Sequence, residues 1–104
     1  MNIKDIELNK IKNHLSNIKS IKKIILFGSY ANQTNNIDSD IDLCILIDDN
    51  KIKETDWSIR SILFGILETP VDLLIYNELD FKERSESNTS FENQIIKSGV
   101  FLYG

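Results

Sequence analysis

The sequence Ile24-Ile25-Leu26-Phe27-Gly28-Ser29 is followed, after ten further residues, by Asp40-Ile41-Asp42-Leu43. The first stretch is a β-branched, apolar run that stops at a Gly-Ser pair, a pattern typical of a strand that ends in a tight turn. The second stretch opens on two carboxylates that alternate with apolar residues. Because side chains in a strand repeat on one face at every second residue, Asp40 and Asp42 are predicted to project from the same face.

The N-terminal half of the sequence predicts a helix and two strands. Apolar residues three to five positions apart predict an amphipathic helix over residues 2–18. Residues 21–27 predict the first strand, and the polar residues 30–39 predict a turn. Residues 40–47 are apolar on both faces beyond Asp42, which indicates a central strand that is covered on both sides.

The C-terminal half predicts a helix, a strand and a shorter helix. Thr55 or Asp56 is expected to cap the first of these helices, and Pro70 is expected to end it by about Glu68. The apolar face of this helix consists of Ile59, Ile62, Leu63, Ile66 and Leu67. Residues 71–76 predict a third strand.

The last 27 residues predict a loop, a capped helix and an edge strand. Residues 78–90 are polar and predict a loop with a weak helical turn. Thr89 and Glu92 have the spacing of a capping box for a short helix, which Gly99 would close. Residues 100–103 predict the edge strand. The side chains that we expect in the core include Trp57, Phe64, Phe91 and Cys44, although an exposed Trp57 would instead indicate a partner surface.

These elements predict an α/β (α+β) domain over residues 1–104, with a small mixed β-sheet of three to four strands flanked by helices. A short polar connection favours antiparallel pairing of the first two strands, and a helical crossover makes the second and third parallel. The end of the first strand then lies beside the starts of the other two. The residues that should meet at this edge are Gly28, Ser29, Asp40, Asp42 and Asp72.

Three carboxylates at one edge repel one another unless a cation neutralises them. Mg²⁺ prefers one or two protein carboxylates together with water and phosphate oxygens, and two such ions can serve one nucleotidyl transfer. Gly28 would let the backbone approach a phosphate, and Ser29 would offer a hydroxyl to a triphosphate. In the structural alternative, the Gly-Ser turn and the D-x-D pattern are chance occurrences, and Asp72 is merely an exposed residue at the start of a strand.

Composition excludes several classes of function. The net charge of −4 argues against a general nucleic-acid binder, which would carry a basic stripe, and it suits a basic protein partner. No apolar run is long enough to span a bilayer, so we expect no membrane role. The single Cys44 excludes an internal disulfide and fits a reducing cytoplasm.

The residues at the predicted edge resemble the nucleotidyltransferase superfamily that includes DNA polymerase β, and within it the minimal nucleotidyltransferase (MNT) family. The match comprises Gly28-Ser29, ten intervening residues, Asp40-Ile41-Asp42 and the later Asp72. Residues 95–103 are similar to that family's final helix and strand. The resemblance covers nearly the whole chain, and the spacing between the two motifs is its most specific part.

The resemblance implies a polymerase-β-like fold and a transferase that uses ATP and Mg²⁺. It further implies an antitoxin of a toxin–antitoxin system that transfers AMP to a tyrosine of a HEPN-type toxin, a reaction called AMPylation. The family pattern assigns Gly28 and Ser29 to nucleotide binding and Asp40 and Asp42 to the metal. It assigns Asp72 to the metal or to activation of the acceptor hydroxyl.

One departure from the family pattern supports a second hypothesis. Asn32 and Gln33 occupy positions where the family usually has a basic residue and then glycine. The alternative is therefore a catalytically weak or inactive antitoxin that neutralises its partner by binding alone. A third hypothesis, transfer to a small molecule such as an antibiotic, generally requires a further domain. The chain has little surface to enclose an acceptor, so we expect a partner. The sequence leaves open whether the chain also forms a homo-oligomer.

Overall fold

The structure is a computed structural model, and it describes residues 3–28 and 40–104. Within these ranges the chain forms four helices and four strands. In order they are α1 (Ile3–Leu15), β1 (Ile21–Phe27), β2 (Ile41–Ile47), α2 (Ile52–Ile66), β3 (Val71–Asn77), α3 (Glu78–Ser85), α4 (Phe91–Ser98) and β4 (Val100–Tyr103).

The strands form one mixed sheet in the order β3-β2-β1-β4. β1 is antiparallel to both β2 and β4, whereas β2 and β3 are parallel. The parallel pair is joined through α2, because two parallel strands need a crossover that carries the chain back to the same end of the sheet. The predicted α+β architecture is confirmed, including the edge position of the last strand.

Helices cover both faces of the sheet. The alternate residues Ile41, Leu43, Ile45 and Ile47 of β2 are fully buried in a cluster that includes residues of α1 and α2. Cys44 and Leu46 point to the other face and pack with Phe81 of α3 and Ile95 of α4. The expected core position of Cys44 is confirmed. Burial, with the nearby charge of Glu92, raises the pKa of its thiol to about 12.

The first two helices differ from the sequence prediction at their ends. α1 stops at Leu15 rather than at residue 18, and the side chains of Ser16 and Asn17 both donate hydrogen bonds to the carbonyl of Asn13. α2 begins at Ile52, so neither predicted cap is correct. Asp49 holds this helix start instead, because its carboxylate accepts from the Lys51 N–H and from the Thr55 hydroxyl.

The predicted loop over residues 78–90 is wrong, because α3 occupies its first part. The Asn77 side chain accepts the Leu79 N–H at 3.0 Å and caps the helix. Phe81 anchors the helix to the sheet with only 2% of its surface exposed. The charges also suit the helix dipole, which favours acidic residues in the first turn and basic residues in the last. The acidic residues of the first turn are Glu78 and Asp80, and the basic residues of the last turn are Lys82 and Arg84.

The start of α4 lies one residue from the predicted capping box. Ser90, not Thr89, accepts the Asn93 N–H, at 3.0 Å. Gly99 follows the helix as expected, but its backbone is extended (φ −77°), so the left-handed conformation is not what requires glycine. A Cβ at Gly99 would overlap the Ile95 carbonyl oxygen and lie 2.6 Å from Ile25 Cγ2. Close packing of the turn on β1 therefore excludes a side chain.

We expect Gly99→Ala to lower the free energy of unfolding by about 1–3 kcal/mol, as overpacked sites do. Gly65→Ala is the matched control, because a Cβ at Gly65 in α2 has no neighbour within 4 Å. Alanine in a helix interior should raise that free energy by about 0.5–1 kcal/mol. Urea titrations of the two variants measure both changes, and equal stabilities would contradict the packing argument.

Three aromatic residues do not pack in the core as predicted. Trp57 is 71% exposed and Phe64 is 91% exposed, and both project from the outer side of α2. Phe91 is half-exposed and packs edge-on against Phe27, with 5.8 Å between ring centroids. An exposed Trp57 is the observation that the sequence prediction linked to a surface for a partner.

Among helices in the described part of the chain, none is long and apolar enough to cross a bilayer.

Candidate active site

The end of β1 and the starts of β2 and β3 lie together at one edge of the sheet. In the antiparallel pair, Phe27 lies opposite Asp42, and in the parallel pair Asp42 lies beside Asp72. Asp42 has the same strand parity as Cys44, so it faces the side that α3 and α4 cover. The structure therefore brings together Gly28, Asp42 and Asp72, as the strand connections predicted.

Gly28 is in direct contact with the Asp42 carboxylate. Its φ is +73°, in the left-handed region that glycine adopts without strain. A Cβ on Gly28 would overlap Asp42 Oδ2 and would lie 3.1 Å from Asp42 Cγ. The absence of a side chain thus lets the backbone of the turn lie against the carboxylate, with both the conformation and the space requiring glycine.

The carboxylates influence one another electrostatically. Partial burial raises the pKa of Asp42, and the negative charge of Asp72, a hydrogen bond with it and the charge of Asp40 raise it further. Asp72 and Asp40 are themselves exposed. A carboxyl group that resists ionisation because it is partly buried beside other carboxylates is one whose charged form a cation would stabilise.

The donor set suits a metal ion that the substrate helps to hold. Within residues 3–28 and 40–104, no three His, Cys, Asp or Glu side chains are gathered closely enough to form a ligand set by themselves. Mg²⁺ does not need such a set, because it usually takes one or two carboxylates and completes its shell with water and phosphate oxygens. The Asp42–Asp72 pair, with Asp40 nearby, fits that requirement.

Several predictions from the sequence fall outside the described residues. They are the nucleotide-binding role of Ser29, the turn over residues 30–39 and the Asn32-Gln33 departure. Asp48 and Asp49 follow the opposite end of β2, away from the acidic edge. There Asp48 forms an ion pair with Lys22 at 3.1 Å.

The sequence did not predict the contacts of two further carboxylates. Glu92 of α4 accepts a hydrogen bond from the Tyr76 hydroxyl at 2.9 Å, and burial together with this bond raises the pKa of Tyr76 to about 12. Glu7 of α1 is only 1% exposed. A sequence signal for Glu7 existed, since it lies four and eight residues before the buried Ile11 and Leu15, on the inward stripe of the helix.

Two curated proteins are similar to this chain along most of its length. The protein adenylyltransferase MntA of Shewanella oneidensis is 30% identical over 88 residues, which are 85% of this chain and 58% of that protein. A provisionally assigned protein adenylyltransferase of Methanocaldococcus jannaschii is 32% identical over 103 residues, covering 93% of this chain and 98% of that protein. The chain thus spans little more than half of the first relative and nearly all of the second.

Solved structures share the fold. A crystal structure of a toxin–antitoxin with AMP-PNP matches with a TM-score of 0.64 and 29% identity, over 93% of this chain and 73% of that chain. The toxin–antitoxin MntA-HepT matches with a TM-score of 0.59 and 25% identity, over 96% and 72%. The model of the family described as polymerase beta, nucleotidyltransferase matches residues 9–104. With its mixed sheet and acidic edge, the chain belongs to the polymerase β nucleotidyltransferase family.

Proposed function

We propose that this chain is a nucleotidyltransferase that moves AMP from ATP to a tyrosine hydroxyl of a HEPN-type toxin and thereby acts as its antitoxin. The observation that carries the proposal is the juxtaposition of Gly28, Asp42 and Asp72 at one sheet edge. The names of the two relatives support adenylyl transfer to protein, and the matched toxin–antitoxin structures support a toxin as the acceptor.

In the proposed mechanism, Asp40, Asp42 and Asp72 would hold Mg²⁺, as the pair of ions that one nucleotidyl transfer can use. When bound, magnesium supplies positive charge that offsets the triphosphate and the developing pyrophosphate. Gly28 brings backbone close to the triphosphate, and Ser29 offers it a hydroxyl. The acceptor oxygen attacks the α-phosphorus of ATP, the bond to pyrophosphate breaks, and the hydroxyl proton passes to a base, for which Asp72 is the candidate.

The acceptor is proposed to be a separate protein in the cytoplasm, where ATP and magnesium are available. Asp72 is exposed on an edge strand, so an incoming side chain can approach it from solvent. The net charge of −4 favours a basic partner over nucleic acid. The proposal also takes residues 1–104 as one nucleotidyltransferase domain.

Transfer of label from α-labelled ATP to the toxin encoded beside this chain tests the proposal. We expect labelling that requires Mg²⁺ and maps to a tyrosine, and that Asp40→Ala/Asp42→Ala abolishes. Asp48→Asn is the matched control, because it removes a carboxylate from the opposite end of β2 and should leave labelling unchanged. Failure of the wild type to label the toxin, with cells still protected by the double variant, would favour neutralisation by binding alone.

A further inference from the structure

A buried carboxylate holds the connection between α2 and β3. Glu7 Oε1 accepts hydrogen bonds from the Glu68 N–H at 2.6 Å and the Thr69 N–H at 3.0 Å. Its second oxygen, Oε2, lies 3.2 Å from the Thr69 nitrogen. These N–H groups follow the end of α2, so the helix ladder does not satisfy them. Glu7 therefore fixes two consecutive peptide units from a helix some 60 residues earlier in the sequence.

The next residue connects this segment to the acidic edge. The Pro70 carbonyl accepts the Ile41 N–H at 3.0 Å, and Ile41 stands between Asp40 and Asp42. Parallel pairing then continues with Ile41 beside Val71, so that Asp42 lies beside Asp72. Residues 68–70 are thus held on one side by Glu7 and on the other by β2, and Asp72 follows two residues later.

We infer that Glu7 is a positioning residue, which sets the separation of the Asp42 and Asp72 carboxylates by fixing where β3 begins. The inference rests on the proposed function, because the carboxylate pair matters only if it holds Mg²⁺ and nucleotide. The chemistry suits the role, since a carboxylate can accept two N–H groups at once whereas an apolar side chain at this place would leave both unpaired.

The charge state of Glu7 is consistent with this role. Burial raises the pKa of its carboxyl, but the hydrogen bonds from Thr69 and Glu68 and the charge of Lys10 outweigh burial, so the pKa is lowered. Glu7 therefore stays ionised at neutral pH and accepts with both oxygens. The inference itself depends on the contacts and not on this titration.

Three substitutions at Glu7 and one control separate positioning from general stability. Glu7→Leu removes the acceptor, and Glu7→Asp keeps the charge but shortens the reach. Glu7→Gln keeps one acceptor oxygen and should therefore retain the positioning that the other two substitutions lose. Leu15→Ala is the control, because Leu15 is fully buried on the same helix but lies two turns away from residue 7. All four variants are compared with the wild type at a temperature at which each of them is folded.

The readouts are amide exchange, the thermal shift given by Mg²⁺ with AMP-PNP, and AMP transfer to the toxin. We expect Glu7→Leu and Glu7→Asp to speed exchange of the Ile41, Glu68 and Thr69 amides. We also expect them to raise the Mg²⁺ concentration for half-maximal transfer several-fold, and to slow transfer by about tenfold to a hundredfold, as small misplacements in active sites do. Glu7→Gln should retain most of the transfer, and Leu15→Ala should leave the magnesium dependence unchanged.

The inference is overturned if folded Glu7→Leu or Glu7→Asp has wild-type exchange and magnesium dependence, or if Leu15→Ala shifts them equally. If Glu7→Leu does not fold, Glu7→Asp and Glu7→Gln decide by the same measurements. A wild type that transfers no AMP would defeat the proposed function separately. The thermal shift would then decide the inference, with a shift lost in Glu7→Asp but kept in Glu7→Gln supporting it and equal shifts overturning it.

Discussion

Replacing Asp42 with asparagine is expected to reduce AMP transfer by about 10²–10³-fold, the scale on which preorganised charges at a reaction centre act. The same change should make the metal-free protein more stable by about 0.2–1 kcal/mol, because Asp42 lies beside Asp72 and like charges on neighbouring strands repel. Transfer assays and urea titrations in EDTA measure the two effects. Loss of function with gain of stability separates a site residue from a structural one.

The pH dependence gives a second test of the same variant. Because the pKa of Asp42 is raised in the folded protein above its ordinary value of 3.8, the native state keeps this proton to a higher pH than the unfolded chain does. The contribution of Asp42 to stability is therefore favourable at low pH and is lost as pH rises from about 3.8 through the raised native value. At neutral pH the repulsion acts in full.

The stability difference between Asp42→Asn and the wild type should therefore grow over that pH interval and then level off. Comparing the two proteins cancels the titration of groups that do not interact with Asp42, including Glu7, whose lowered pKa acts in the opposite direction. Added Mg²⁺ should stabilise the wild type and have little effect on the variant. The Asp48→Asn control should show no such growth, and a pH-independent difference for Asp42→Asn would contradict the account.

The sequence predicted the fold well where local pattern and connection length decide the structure. The apolar run that ends at Phe27, the central strand after Asp42 and the crossover before Val71 were sufficient to place three strands and bring their ends together. α3 was missed because its sequence is polar apart from Leu79 and Phe81, so that one buried ring and an Asn77 cap stabilise it rather than an apolar stripe.

Residues whose surroundings come from distant parts of the chain could not be assigned in the same way. Trp57 and Phe64 have a composition typical of the core, and only the orientation of α2 on the sheet reveals that they are exposed. Glu7 is the converse case, a charge that is buried because two N–H groups more than 60 residues away need an acceptor. The acidic edge was predictable because strand parity and register are local rules, whereas these contacts depend on tertiary packing.

Replacing Gly28 with alanine should damage the same edge by a different physical route. The left-handed backbone at Gly28 would cost an alanine about 1–2 kcal/mol, and its Cβ would overlap the Asp42 carboxylate. The carboxylate must therefore move, and a displacement near 1 Å is expected to slow transfer by about 10²-fold. Unlike Asp42→Asn, this variant should lose both activity and stability. Gly65→Ala, at an open helical position, should lose neither.

A double-mutant cycle separates the two causes of the loss at Gly28. Asp42→Ala removes the carboxylate that the new Cβ would meet, so Gly28→Ala should cost less stability in that background than in the wild type. The cost that remains is the backbone strain of the positive φ, and the difference is the energy of the clash. Equal costs in both backgrounds would show that Gly28 acts through its backbone alone. A smaller cost beside Asp42→Ala means instead that glycine is needed to make room for the carboxylate, which couples the turn after β1 to the acidic pair on β2 and β3.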